Sequence, residues 1–334
     1  MKIVHFQRLA NSSNHSIERV FASVRSALPG VDVDVNVCRF ASQGVFKRLY
    51  NIVDAARRQG DVNHITGDVH YLALSLSKRK TILTIHDCVS LRSSKGLNHA
   101  RILWFWYRLP IRRVAAVTVI SAFTRDEILR YTACDPNILQ VVPDPVPIEF
   151  VPSPKMFPVE QPVVLQVGTG EHNKNVCRVA EALRGIPCQL DVIGRLTERQ
   201  RQALEVNSIS HTEQWGLSDQ EVVERYRKCD LVVFASTYEG FGMPIIESNA
   251  VGRPVVTSSL EPMISVAGGA ACLVDPYDPL SIRAGILRII EDRGYREELV
   301  RLGFENAKRF SAEVVAQQYV AVYRELASAN IARK

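Results

Sequence analysis

Residues 229–251, CDLVVFASTYEGFGMPIIESNAV, decide how the rest of the chain is read. Leu231-Val232-Val233-Phe234 is an apolar run with the length and composition of a buried parallel strand. A polar turn with two glycines follows, from Ala235 to Gly242. Met243-Pro244 then opens an apolar-periodic segment, with proline where a first helical turn tolerates it. A strand therefore delivers a loop at its carboxyl edge, and a helix leaves with its amino end toward that loop. Glu239 stands before the glycines and Glu247 about one turn into the helix. Gly240 and Gly242 let backbone N–H groups come close to a ligand, and the helix start carries partial positive charge. N–H groups suit a phosphate and carboxylates suit hydroxyls, so the expected ligand is part anion and part polyol. A sugar nucleotide is such a ligand. The plain alternative is a turn with two solvated glutamates.

The 334 residues exceed the usual single-domain size, so two domains are expected. A formal charge of +6 permits contact with anionic lipid, nucleic acid or polyphosphate and selects none of them. Met1 leads straight into the strand-like Ile3–Phe6 with no secretory pattern, and no apolar run approaches the length of a membrane span. A cytoplasmic protein is expected, with the option of a peripheral place on the inner membrane face. The seven cysteines are scattered and never form a C-x-x-C pair, which favours reduced buried thiols over a disulfide frame or zinc site.

Short β-branched runs alternate with helical patterns through both halves. Strands are expected at 2–6, 31–37, 62–65, 81–85, 116–120 and 138–142, then at 163–167, 190–193, 231–234, 255–257 and 272–274. Helices fill the intervals, among them 45–58 and 100–114, and a last one covers 312–329. The alternation predicts βαβ units, hence an α/β protein of two doubly wound parallel sheets. Seven prolines between Val142 and Pro162 forbid regular structure and locate the inter-domain connection. Ser218 with Glu221 has capping-box form.

Other residues fit the same chemistry. Gly168-Thr169-Gly170-Glu171-His172-Asn173-Lys174 follows one strand and precedes a helix, so it offers close backbone approach and a point charge to a diphosphate. His86-Asp87 ends an apolar strand, where side chains point to the ligand edge of a parallel sheet. His86 would bond a sugar hydroxyl, with Asp87 orienting it or capping the next segment. Asp32-Val33-Asp34 has metal-diphosphate form but lies inside an alternating strand and reads as solvent-facing. His64 and His70 lack partners at metal spacing, and no metal is expected. The basic, aromatic stretch 98–113 would rest on an anionic membrane or receive a lipid-linked acceptor, or it would simply pack on the first sheet.

With these residues in place, the chain resembles a retaining glycosyltransferase of family four with the two-domain GT-B architecture. The E-x7-E element Glu239–Glu247, Gly252-Arg253-Pro254, Glu261-Pro262, Gly268-Gly269 and Asp275-Pro276 follow as that family has them. His86-Asp87, Ser121 with Phe123-Thr124, and Val142-Pro143-Asp144-Pro145-Val146 resemble its weaker signatures. The resemblance implies an acceptor-side domain at 1–148, a linker at 149–162, a nucleotide-sugar domain at 163–311, and a closing helix and tail at 312–334 that can return to the first domain. By it, Glu247 contacts the ribose, and Glu239 with the Phe241–Gly242 backbone, flanked by Gly240 and Met243, holds sugar and phosphate. Lys174, with Gly168 and Thr169, faces the leaving diphosphate, and His86 contacts the transferred sugar. Two departures stand out. The loop Arg8–Ile17 has no glycine, and Thr169-Gly170 stands where many members carry arginine, a role Arg195 would take over. The implied reaction is transfer with retention from a nucleotide-sugar donor to a glycan or lipid-linked acceptor, without metal. A GT-B sugar-nucleotide epimerase would share the site. A nucleic-acid-binding protein is disfavoured by the lack of any recognition pattern.

Overall fold

The computed structural model describes residues 1–9, 16–168 and 172–331. Two compact units divide the chain: residues 1–145 with 312–334, and residues 146–311. Each is built on a six-stranded, wholly parallel sheet.

The first unit holds β1 (Lys2–Gln7), β2 (Asp32–Val37), β3 (Val62–Ile65), β4 (Thr81–Ile85), β5 (Ala116–Val119) and β6 (Leu139–Val141), in the order β2-β1-β3-β4-β5-β6. β3, β4 and β5 are buried along their whole length; β4 and β5 are mostly apolar, as a covered parallel strand should be, whereas β3 buries Asn63 and His64. β2 is an edge strand and mostly exposed, so Asp32 and Asp34 face solvent and Asp34 pairs with Lys2 at 2.8 Å. The stretch near 96–112 is helical but winds as a π-helix over Leu103–Arg108. Tyr107 and Ile111 pack into the core while Trp104 and Phe105 stay exposed.

The long helix Ala312–Ile331 belongs to this unit. Its Tyr323 hydroxyl bridges His5 Nε2 (3.0 Å) and His64 Nδ1 (2.8 Å), and His64 Nε2 continues to the Thr84 hydroxyl at 2.7 Å. Burial holds the His64 imidazole down at about 3 and pushes His5 well below its ordinary value. Both histidines are buried in the core; His64 uses both ring nitrogens, whereas His5 Nδ1 has no hydrogen-bond partner among the described residues.

The second unit holds β7 (Val163–Val167), β8 (Gln189–Ile193), β9 (His211–Gln214), β10 (Leu231–Phe234), β11 (Val255–Ser258) and β12 (Cys272–Val274), ordered β12-β11-β10-β7-β8-β9. β9 was not expected: HTEQ carries no apolar signal, because an edge strand bonded only to β8 needs none. The Ser218–Glu221 capping box forms, with Ser218 N–H donating to Glu221 at 2.7 Å, and Thr197–Gln200 makes a second one. The crossing between units falls inside the proline-rich stretch 142–162, near its start. The chain passes between units at Pro145–Val146, and 149–162 is a strap on the second unit rather than a free linker. Ser153 N–H donates to Val251 O, Arg253 donates to Ser153 O, and the Arg296 guanidinium lies 4.1 Å from the Phe157 ring centre. Backbone groups that proline-rich sequence leaves outside a sheet are satisfied by this packing.

Candidate functional site

In the second sheet the winding reverses between β7 and β10, which are neighbours. The loops that follow them meet at the carboxyl edge, the place where open α/β sheets bind ligands. Backbone and side-chain hydrogen bonds stitch the two loops together. Thr237 N–H donates to Asn173 O (2.8 Å), and Asn173 Nδ2 donates to Tyr238 O (2.7 Å). Asn175 Nδ2 donates to both Ala235 O (2.9 Å) and Pro276 O (2.6 Å).

Lys174 Nζ donates to Glu239 Oε1 at 2.7 Å and lies 5.3 Å from the centre of the Phe234 ring. Both side chains are partly exposed, Lys174 by 22% and Glu239 by 14%, so the pair is held by the fold yet reachable from solvent. Gly168 has φ +83°, and a Cβ there would stand 3.0 Å from Lys174 Cε. The glycine keeps open the lane along which the lysine runs. Thr169 lies outside the described residues.

On the other loop, Gly242 caps the helix Met243–Val251 with φ +116°, a conformation glycine adopts without strain. Gly240 and Met243 are partly exposed at the loop, whereas Phe241 is buried with its ring edge-on to Phe310 at 5.5 Å. Glu247 is buried, and Tyr226 O–H donates to its Oε2 at 2.6 Å. Sequence reasoning missed Tyr226, because its helix, Asp219–Lys228, carries no local sign that one side chain reaches a glutamate 21 residues on. Two buried polar atoms near these loops, Gln166 Oε1 and Ser236 Oγ, have no hydrogen-bond partner among the described residues. Arg195 follows β8, beside β7. It is exposed, with its guanidinium 5.9 Å from the Trp215 ring centre.

In the first unit, His86 follows β4 and is buried, with 9% of its surface exposed. Its Nε2 donates to Thr66 O at 3.1 Å, and its Nδ1 is 3.8 Å from Asp144 Oδ1. Burial alone would lower its pKa, but the Asp144 carboxylate, the Thr66 carbonyl and Asp68 outweigh burial and raise it to about 9. Asp87 does not orient His86. Its Oδ1 accepts from Val89 N–H at 2.9 Å, as a cap. The orienting carboxylate is Asp144, and the sequence signal for it was the quoted VPDPV segment, in which it had no assigned role. Among the described residues, no group of three or more His, Cys, Asp or Glu side chains is placed to hold a metal ion.

Two doubly wound parallel sheets, with a lysine–glutamate pair at the switch point of the second, define an α/β protein of two Rossmann-like units. Residues 148–307 match the family model of glycosyl transferases group 1, and residues 44–150 match that of Glycosyltransferase Family 4. The chain belongs to this glycosyltransferase family. It is 27% identical over 235 residues to O-antigen chain mannosyltransferase B of Escherichia coli, covering 63% of this chain and 60% of that protein. It is 30% identical over 282 residues to the MMP alpha-(1->4)-mannosyltransferase of Mycolicibacterium hassiacum, covering 75% and 66%. The matched stretch thus spans under two thirds of either relative. The fold has GT-B architecture. Sucrose-phosphate synthase from Thermosynechococcus elongatus superposes with TM-score 0.79 at 18% identity, covering 98% of this chain and 99% of that one. Anabaena HepE in complex with UDP and glucose gives 0.79 at 16% identity, covering 97% and 100%.

Proposed function

We propose that the protein is a retaining glycosyltransferase of polysaccharide or glycoconjugate biosynthesis. It moves a sugar from a nucleotide-diphosphate sugar to a glycan or lipid-linked acceptor. The observation that carries this reading is the Lys174–Glu239 pair, set on two stitched loops at the switch point and partly open to solvent. An arriving diphosphate competes with Glu239 for Lys174. Once the lysine turns to phosphate, the Glu239 carboxylate is released to accept from sugar hydroxyls. Binding the donor and presenting its sugar thereby become one event. The helix start at Met243 and the Gly240–Gly242 N–H groups complement the same phosphate. Charge developing on the departing diphosphate is met by groups already in place, without a metal being required. Glu247, braced by Tyr226, reads the ribose. Relatives named as mannosyltransferases support a hexosyl donor.

The test is thermal-shift screening against a panel of UDP- and GDP-sugars, followed by transfer assays with the stabilising donor. One nucleotide sugar should raise the melting temperature of the wild type, and Lys174→Ala should abolish that rise. Turnover of the donor in both Glu239→Gln and Lys174→Ala at near-wild-type rates would end the proposal. Interconversion of the donor sugar without any acceptor would instead mark an epimerase.

A further inference from the structure

The helix Val45–Ala56 is turned the wrong way round for a soluble protein. On it, Val45, Phe46, Leu49 and Val53 fall on one arc, the spacing that normally marks a core-facing stripe. Here that arc points into solvent, with Val45 76%, Phe46 88% and Leu49 54% exposed. The face against the protein carries Asn51 and Ala55 instead. Asn51 is fully used there, since its Nδ2 donates to Phe40 O (2.8 Å) and to the Tyr71 hydroxyl (3.0 Å), while its Oδ1 accepts from Phe40 N–H. The orientation is therefore fixed by satisfied polar contacts.

A second apolar element adjoins it. Leu97, Trp104 and Phe105, on the helical stretch 96–112, are also exposed. A shallow groove of roughly 400 Å³ connects the two, lined by Arg48, Arg101 and Phe105 among others. Arg48 closes one wall with its guanidinium 5.5 Å from the Trp106 ring centre, and Arg112 sits 5.2 Å from that of Trp104. Exposed apolar side chains thus stand on both elements, and Arg48 and Arg101 line the groove between them.

Its charge selects the occupant. Residues 88–113 contain six Lys and Arg and no Asp or Glu. Residues 1–145 hold twenty Lys and Arg against eleven Asp and Glu, a net +9, whereas the whole chain is only +6. The positive charge belongs to this unit; Arg92 pairs with Glu127 and Arg108 donates to Tyr131 O, whereas Arg48, Arg101 and Arg112 are exposed. A second copy docked here would oppose basic rim to basic rim. We propose that this face docks the protein on an anionic lipid surface, with Phe46, Leu49 and Phe105 entering the headgroup–acyl boundary and Arg48, Arg101 and Arg112 meeting lipid phosphates. Apolar insertion and basic attraction are the two signals that reversible membrane binding requires together. The inference does not depend on the donor site.

The experiment is cosedimentation of the full chain with large unilamellar vesicles, either pure phosphatidylcholine or phosphatidylcholine with about one third phosphatidylglycerol. Wild type should pellet with the anionic vesicles and not the neutral ones, and raised salt should release it. Phe46→Ser with Leu49→Ser, and separately Arg101→Glu with Arg112→Glu, should each lower partitioning at least about tenfold. Circular dichroism and melting temperature should be unchanged, because the substituted side chains are exposed. No partitioning by wild type, equal partitioning onto both vesicle types, or an unaltered value in either double variant would overturn the proposal. So would a dimer in light scattering that the Phe46→Ser and Leu49→Ser changes dissolve.

Discussion

The carboxyl edges of the two sheets are built on opposite principles. After β7 and β10, Lys174 and Glu239 neutralise each other at the surface and each keeps contact with solvent. After β4, His86 is buried, and its two ring nitrogens are committed to Thr66 and Asp144. The first arrangement exchanges partners at little cost, because water and ligand both reach the partly exposed groups. The second cannot move without stranding a charge in the interior. A family signature at a strand end thus does not by itself say whether a side chain meets substrate. The burial and prior engagement of its polar atoms decide that.

The contrast is sharpest in substitutions. Lys174→Ala or Glu239→Gln should lower turnover on the order of 10²–10³-fold, by analogy with lost donors to developing negative charge. Their melting temperatures should stay near wild type. Asp144→Asn should do the reverse and destabilise the first unit by on the order of 3 kcal/mol, as expected for a buried ion pair broken on one side. The same variant tests the sign of the pH effect. His86 is raised to about 9, so its pairing stabilises fully below the ordinary histidine value of about 6.5 and is lost as pH rises through about 9. Denaturant titrations of wild type should show that decline, and Asp144→Asn should flatten it. A flat wild-type profile would mean that the imidazole is neutral and the contrast is false.

Smaller effects separate scaffold from ligand contact within the second unit. Tyr226→Phe removes the hydroxyl that donates to Glu247 and should cost about 2 kcal/mol of stability, a bond to a charged acceptor. Gly168→Ala should be the mildest, weakening donor affinity about tenfold by displacing Lys174 at a positive-φ site. Intact donor affinity in that variant would show that the lane beside Lys174 is wider than its 3.0 Å clearance implies.

Most of the architecture was legible because both sheets are parallel and covered on two faces. Their inner strands, such as Leu231–Phe234, are written as unbroken apolar runs between turn residues. The Glu239–Glu247 spacing and Lys174 were legible for a related reason, since a strand, a glycine turn and a helix start are all local. What was illegible is long-range. His211–Gln214 becomes a strand only because β8 offers an edge. Asp144 becomes the partner of His86 across 58 residues; the VPDPV segment marks the residue but not its partner. The helix Val45–Ala56 shows the limit most plainly. Its periodicity gives an apolar stripe, but the stripe alone does not say which side the body of the protein lies on. Asn51, finding Phe40 and Tyr71, settles that.

The Tyr323 bridge to His5 and His64 bears on biosynthesis. Tyr323 lies 318 residues after His5 and 259 after His64, so its helix closes over strands made long before it. Residues 146–311 are all synthesised before that helix, so the second unit should be able to mature before the first is closed. Protease resistance of stalled nascent chains would read this order directly. An amino-terminal half already resistant before residue 312 is made would refute it.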